Sequence, residues 1–363
     1  MALPDCSTAP GRPIRVLVVD DSVVIRRLIA RALETDAQLE VVGSAANGVI
    51  ALQRIPVLHP DVLTLDIEMP EMDGLETLRR VRAEHPHLRV IMCSTLTEHG
   101  AAITLEALSL GAHDYVTKSS AEGTVERAIE QFRADLIPRI KQFFLPTASR
   151  VTASCRNADA LPHVYATPLV STPPRVVAIG TSTGGPAALA AVLPKLPADF
   201  PLPVLVVQHM PPLFTRLLAE RLSTLNKLPM REAVPGEPLT PGKILIAPGD
   251  FHMKVAARGS GPCVVLDQSP PLNFCRPAVD ALFSSAAEVF GGAVLALVLT
   301  GMGQDGLRGA AALKARGAAV LAQDQPSSVV WGMPGAVVQA GLADRVLPLD
   351  QCAGELLRLT VHA

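Results

Sequence analysis

The chain has 363 residues, 49% of them hydrophobic and 18% charged, a composition that fits folded domains and a length that fits about two of them. Its formal net charge is only -2, from 32 Lys plus Arg against 34 Asp plus Glu, so no basic field advertises nucleic acid or an anionic membrane. Six scattered cysteines argue against a disulfide framework, the opening "MALPDCSTAPGRP" lacks the order of a secretory signal, and no apolar run nears the roughly 18 residues that span a bilayer; a cytoplasmic protein without membrane insertion is expected.

From residue 14 to 142, five β-branched runs, "IRVLVVD", "LEVVGSA", "DVLTLD", "RVIMCS" and "HDYVTK", alternate with helix-period segments such as Val23 to Leu33 and Leu75 to Glu84. That alternation predicts a doubly wound parallel sheet with helices on both faces. The strand ends of such a sheet share one edge. Asp20 and Asp21 follow the first run, Asp66 ends the third, Ser94 follows the fourth and Lys118 ends the fifth. Three converging carboxylates repel one another unless a hard, oxygen-seeking cation sits among them, and Mg²⁺ suits such donors. The same pocket can take a phosphoryl group on Asp66, its charge neutralised by the metal and Lys118 while the Ser94 hydroxyl donates to an oxygen. Taken singly, each aspartate reads as a helix cap or solvated loop carboxylate. Together the matched positions reverse that reading.

These residues resemble response-regulator receiver domains: "VVDDS", "LDIEMPEMDG", "IMCS" and "DYVTKS" stand in the order of that family. The resemblance implies a flavodoxin-like (βα)5 domain over 14–142, with Asp66 as phospho-acceptor. It further implies that Asp20, Asp21, Asp66 and the Glu68 carbonyl hold Mg²⁺, that Ser94 and Lys118 sense the phosphoryl group, and that Tyr115 is the aromatic switch. The family usually has Pro after the lysine; here it is Ser119.

Residues 143–174 are rich in Pro, Ser, Thr and Ala without a sustained apolar period, as in "PTASRVTASCRNADALPHVYATPLVSTPP", and read as a linker. From 175 to 360 strand chemistry resumes with "RVVAIG", "PVLVVQH", "KILIAPG", "FHMKVAA", "AVLALVLTG" and "AAVLAQD", which predicts a second, doubly wound α/β domain with a mostly parallel sheet. An antiparallel excursion is expected where "KILIAPGDFHMKV" turns through Pro248, Gly249 and Asp250.

The first of these strands runs into "AIGTSTGGP". As a phosphate cradle this loop lacks a Walker lysine, and the next strand ends in Gln208 and His209 rather than the acid that would hold a ribose. As a nucleophile site it satisfies G-x-S-x-G, with Ser182 on a strand-to-helix turn and a helix beginning near Pro186, whose N-terminus favours developing negative charge. Serine needs a base, and His209 at the end of the neighbouring strand is the candidate; His252 lies early in its strand and is the rival. Asp305 in "VLTGMGQDG" can orient the imidazole, although taken alone it reads first as a cap of the helix that runs to Arg316. The order Ser, His, Asp differs from that of α/β-hydrolases, whose late histidine would here be the near-terminal His362.

Receiver, linker, "IGTSTGG", "VVQHM" and "LTGMGQDG" together resemble the chemotaxis response-regulator protein-glutamate methylesterases, the CheB family, over nearly the whole chain. The resemblance implies hydrolysis of glutamate γ-methyl esters, and deamidation of glutamines, on the cytoplasmic helices of methyl-accepting chemoreceptors. Ser182 would be nucleophile, His209 base and then acid, Asp305 orienter, and the backbone N–H groups of Thr183 and Met302 the oxyanion hole. A chemotaxis histidine kinase would be the phosphodonor, and phospho-Asp66 would relieve inhibition by the receiver; no cofactor is expected for ester hydrolysis. Gly335 stands where a basic residue is common in the family. The rival reading is a phosphorylation-controlled interaction module whose second domain is catalytically idle.

Overall fold

Five β-branched runs separated by capped helices build the first sheet: β1 (Ile14–Val19), α1 (Val23–Leu33), β2 (Leu39–Ala45), α2 (Gly48–Leu58), β3 (Val62–Asp66), α3 (Gly74–Glu84), β4 (Arg89–Thr95), α4 (Glu98–Ser109), β5 (Asp114–Lys118) and α5 (Val125–Lys141). Each helix starts where a polar side chain takes a free backbone N–H: Ser22 accepts from Ile25, Asn47 from Ile50, Asp73 from Glu76, Thr97 from Gly100 and Thr124 from Arg127. None of these caps is Asp20, Asp21 or Asp66, which leaves those carboxylates for other work. The computed structural model describes residues 12–95, 97–118, 124–144, 172–259 and 261–361. Most of the expected linker, Ser119 and His362 lie outside the described residues.

The chain divides into two compact units, Met1–Ala153 and Ser154–Ala363. In the first, the strand order is β2-β1-β3-β4-β5 with every neighbour parallel, so the order reverses between β1 and β3. Val16, Val18, Ile91 and Val116 of the sheet pack with Ile29 and Leu33 of α1 and with Phe132, Leu136 and Ile140 of α5. Burial of that continuous face fixes which strand ends face solvent together.

The second unit runs β6 (Val176–Thr181), α6 (Gly185–Val192), β7 (Val204–Gln208), α7 (Pro212–Leu225), β8 (Met230–Glu232), β9 (Ile244–Ile246), β10 (His252–Arg258), β11 (Gly261–Asp267), α8 (Val279–Phe290), β12 (Val294–Val298), α9 (Leu307–Ala315), β13 (Ala319–Gln323), α10 (Met333–Gln339), β14 (Arg345–Leu347) and α11 (Leu349–Val361). Seven of its strands form one parallel sheet, β14-β13-β12-β6-β7-β9-β8. Val176, Ala178, Val207, Ala296 and Val298 pack against Leu282 and Phe283 of α8 and Leu313 of α9.

The antiparallel excursion occurs, but one step later than the sequence suggests. β10 does not pair with β9; it forms a separate hairpin with β11, from His252 opposite Asp267 to Arg258 opposite Gly261. The reason is edge availability. β9 sits between β7 and β8, so both of its edges are taken. At the intervening turn a side chain on Gly249 would strike the Pro211–Pro212 backbone, so the chain passes over the start of α7 instead of folding back on β9. The short strands β8 and β14 carry three residues each, too few for a periodic signal.

Candidate active site

At the carboxyl edge of the first sheet, oxygens of Asp20, Asp21 and Asp66 lie within 4.8 Å of one another. Lys118 Nζ sits 2.7 Å from Asp20 Oδ2 and 2.7 Å from Asp66 Oδ1. The Ile67 N–H donates to Asp66 at 2.8 Å and the Ser22 N–H to Asp20 at 2.9 Å, so both carboxylates are aimed by the backbone. Burial pushes the Asp66 carboxyl up to about 6, and Lys118 only partly offsets it. Burial also opposes charge on Lys118, but Asp66 and Asp20 outweigh it and raise its pKa. An all-oxygen donor set with a fixed cation beside it is consistent with a hard divalent ion such as Mg²⁺. Ser94 is fully buried at the end of β4 with its hydroxyl on the Thr95 carbonyl at 3.1 Å. Tyr115 is buried in β5, where burial raises its phenol pKa. Glu68 follows Asp66 in the loop to α3, whose Gly74 comes so close to Asp66 that a side chain there would strike its carbonyl.

The second sheet reverses direction at β6, which has β7 on one side and β12 on the other. Ligand crevices in open α/β sheets form at such a switch point. Ser182 follows β6 there, half-buried, with its N–H donating to the Thr300 carbonyl at 3.0 Å and its own carbonyl accepting from Gln208 Nε2 at 2.9 Å and Gly185 N at 2.8 Å. Gly184 holds φ +78, and an added Cβ would lie 2.7 Å from Val329; a side chain on Gly180 would run into Val279. Space therefore requires both glycines of G-x-S-x-G, and the dihedral angle requires Gly184 as well. Thr183 is buried, its carbonyl accepting from the Thr300 hydroxyl at 2.9 Å, whereas Met302 is half-exposed in the loop after β12.

His209 follows β7 and Asp305 lies in the loop after β12, so the two arrive from either side of Ser182. His209 Nε2 is 2.8 Å from Asp305 Oδ2. Asp305 does not cap α9, whose N-cap is Gly306 without a side-chain bond. It lies instead at the start of α8, accepting from Val279 N at 2.6 Å and Asp280 N at 3.1 Å, with further bonds from Gly306 N at 3.0 Å and Asn273 Nδ2 at 2.9 Å. Burial would raise its pKa, but His209 and those amides hold it below the ordinary carboxylate value. Burial likewise opposes charge on His209; the Asp305 carboxylate and the Cys275 sulfur outweigh it and push the imidazole up to about 10. Among the described residues no hydrogen bond joins the Ser182 hydroxyl to His209. The second ring nitrogen, Nδ1, lies 3.5 Å from Cys275 Sγ. The rival His252 is buried in the β10–β11 hairpin with Nε2 3.2 Å from the Pro270 carbonyl.

Three side chains that bear on this site carry no local signal in the sequence: Asn273, Cys275 and Asp280. Asn273 bridges Asp305 and Asp280, at 2.9 Å to each, across chain separations that no periodicity reports. Gly335 is buried in α10, and a side chain there would press on the Trp331 ring, 2.9 Å away.

A model of the response regulator receiver domain matches residues 16–130, and a model of the CheB methylesterase matches residues 177–356. A protein-glutamate methylesterase/protein-glutamine glutaminase from Nocardioides sp. is 53% identical over 354 residues, spanning 96% of this chain and 95% of that protein. One from Trichodesmium erythraeum is 49% identical over 346 residues, spanning 95% of this chain and 98% of its own. The crystal structure of the Thermotoga maritima CheB methylesterase catalytic domain aligns with a TM-score of 0.51 at 45% identity, covering 52% of this chain and all (100%) of that one. Among the described residues no helix is long and apolar enough to cross a membrane.

Proposed function

We propose, from the premise that this chain belongs to the CheB family of protein-glutamate methylesterases/protein-glutamine glutaminases with a response-regulator receiver domain, that Ser182, His209 and Asp305 carry out its hydrolysis. Family membership removes the idle output domain from consideration. The observation that carries the assignment is the 2.8 Å bond between His209 and Asp305, residues 96 apart in the chain, formed where the strand-end serine emerges.

Neutral His209 takes the Ser182 proton as the hydroxyl attacks the γ-carbonyl of a glutamyl methyl ester or glutamine. Because Nε2 is committed to Asp305, Nδ1 must exchange Cys275 for the serine hydroxyl at this step. The backbone N–H groups of Thr183 and Met302 receive the oxyanion. The imidazolium then gives its proton to the leaving methoxide or amine, and water repeats the cycle to free the glutamate carboxylate. Asp305, fixed at the start of α8, keeps the ring in one tautomer and stabilises its charge throughout. The substrates are the cytoplasmic helices of methyl-accepting chemoreceptors, so the protein works in the cytoplasm.

In the receiver, Asp66 is the acceptor of a phosphoryl group from a chemotaxis histidine kinase, and Asp20, Asp21, Asp66 and the Glu68 carbonyl would hold Mg²⁺. When bound, that ion supplies charge neutralisation for the incoming phosphoryl group. Lys118, already within 2.7 Å of Asp66, binds a phosphoryl oxygen, Ser94 donates to another, and Tyr115 relays the change. Phospho-Asp66 relieves inhibition of the esterase. The direct test is methanol release from methylated receptor by the intact chain, Ser182→Ala and Asp66→Ala: the serine variant should release none, and the aspartate variant should keep basal release but ignore phosphodonor. Near-normal release by folded Ser182→Ala would overturn the assignment.

A further inference from the structure

Immediately before α8 the chain makes a tight turn in which Leu272 N donates to the Cys275 carbonyl at 3.1 Å and Cys275 N to the Leu272 carbonyl at 2.8 Å. Its two central residues, Asn273 and Phe274, take positive φ angles of 50 and 64. Asparagine tolerates that conformation, and it throws the side chains to opposite sides. Phe274 points fully into solvent, whereas Asn273 and Cys275 turn inward onto the two partners of the catalytic bond. Asn273 Nδ2 gives its hydrogens to Asp305 Oδ1 and to Asp280 Oδ2, both at 2.9 Å. Cys275 Sγ stands 3.5 Å from His209 Nδ1.

We propose that the Leu272–Cys275 turn is a positioning element for the hydrolytic site, with Asn273 seating the Asp305 carboxylate and Cys275 seating the His209 ring from its second nitrogen. This rests on the roles of Ser182, His209 and Asp305 given above. The physical need is specific. Asp305 and Asp280 are both buried, with Asp280 oxygens tied to Gly309 N and Asn273, and two buried carboxylates so close repel unless a donor lies between them. The neutral amide supplies two donors and no charge, so it joins them without competing for the His209 proton. On the other side a thiol is a weak hydrogen-bonding partner. It holds the ring in plane in the resting site yet yields Nδ1 to the serine hydroxyl at small cost. The titratable groups facing His209 are Asp305, from the β12–α9 loop, and Cys275, from the turn, with Asp280 of α8 behind Asp305.

The test uses the full chain and methylated receptor, with kcat, KM and the acidic limb of the pH profile measured for Asn273→Gly, Cys275→Ala and Cys275→Ser, and Ser182→Ala as control. Asn273→Gly keeps the positive φ while removing the donor. It should lower kcat about tenfold with KM within about twofold, and move the acidic limb to higher pH because Asp305 becomes the stronger base. Cys275→Ala should lower kcat about threefold and move the limb to lower pH, since the sulfur no longer supports the imidazolium; Cys275→Ser should restore both. If either Asn273→Gly or Cys275→Ala matches the wild type in kcat and limb, or loses rate only in proportion to its folded fraction, the positioning role is overturned while an inactive Ser182→Ala leaves the catalytic assignment standing. An active Ser182→Ala overturns both.

Discussion

Asp305 has a donor on each oxygen: His209 and Val279 face Oδ2, and Asn273, Asp280 and Gly306 face Oδ1. Such a carboxylate stays ionised in a buried place, and its charge holds the His209 pKa above that of free imidazole, about 6.5. The sign of the resulting pH dependence follows. The neutral base is scarce well below the raised value, about 10, and grows as pH climbs toward it, so kcat/KM should rise from neutral into alkaline solution. Steady-state rates across that range check it; a plateau already reached below pH 6 would contradict it. Asp305→Asn removes the charge and presents an amide donor toward the ring. Its kcat should fall about a thousandfold, and the rising limb should move to lower pH. Ser182 and His209 each read ambiguously alone in the sequence, and Asp305 more so. A serine in G-x-S-x-G carries a local glycine signature, whereas an aspartate that caps the start of a helix 25 residues earlier in the chain leaves none.

At the scale of elements, the strand-to-helix turn at β6 depends on glycines as geometry rather than as flexibility. Gly184→Ala would force a side chain into a left-handed conformation and against Val329 Cβ, 2.7 Å away. The strain and overpacking together should cost roughly 2 to 4 kcal/mol in urea unfolding, and the displaced Ser182 should lose activity beyond the folded fraction. Unchanged stability would mean that the turn has another accessible conformation. The hairpin β10–β11 shows where element-level reading fails. "KILIAPGDFHMKV" has the local marks of two strands and a turn, but pairing is a competition for edges, and β7 and β8 already hold both edges of β9. By contrast α1 falls on Val23–Leu33 as its periodicity predicts, because its apolar stripe of Ile29, Ala32 and Leu33 meets the sheet beneath it.

Across the whole molecule, a receiver with a carboxylate cluster and a hydrolase with its own core share one chain. Control of one by the other requires a bias of about 1 to 3 kcal/mol, enough to change activity roughly 5- to 150-fold. Adding a small-molecule phosphodonor and Mg²⁺ should raise methanol release within that range, and Asp66→Ala should abolish the rise. Removing the metal with EDTA should block activation and spare basal hydrolysis if Ser182, His209 and Asp305 cleave the ester by themselves. Loss of basal rate in EDTA would show that a metal serves the esterase as well. A fragment beginning at residue 172 retains the seven-stranded sheet and its core, and should outpace the unphosphorylated chain if the receiver inhibits. An equal or slower rate would remove inhibition from the account.

The sequence by itself determined what short-range chemistry can encode: alternating strand and helix periods, hence two α/β sheets, and the strand-end positions of Asp20, Asp66, Lys118, Ser182 and His209, since a residue that ends a parallel strand must lie on the carboxyl edge. Tertiary structure alone decided strand order, and with it that β6 lies between β7 and β12 and so brings His209 and Asp305 to either side of Ser182. It also decided that Asn273 and Cys275 reach those residues, through contacts spanning 32 and 66 positions. Such contacts are made when distant segments bury a common core, and burial of apolar surface is indifferent to chain separation, so no local pattern records them.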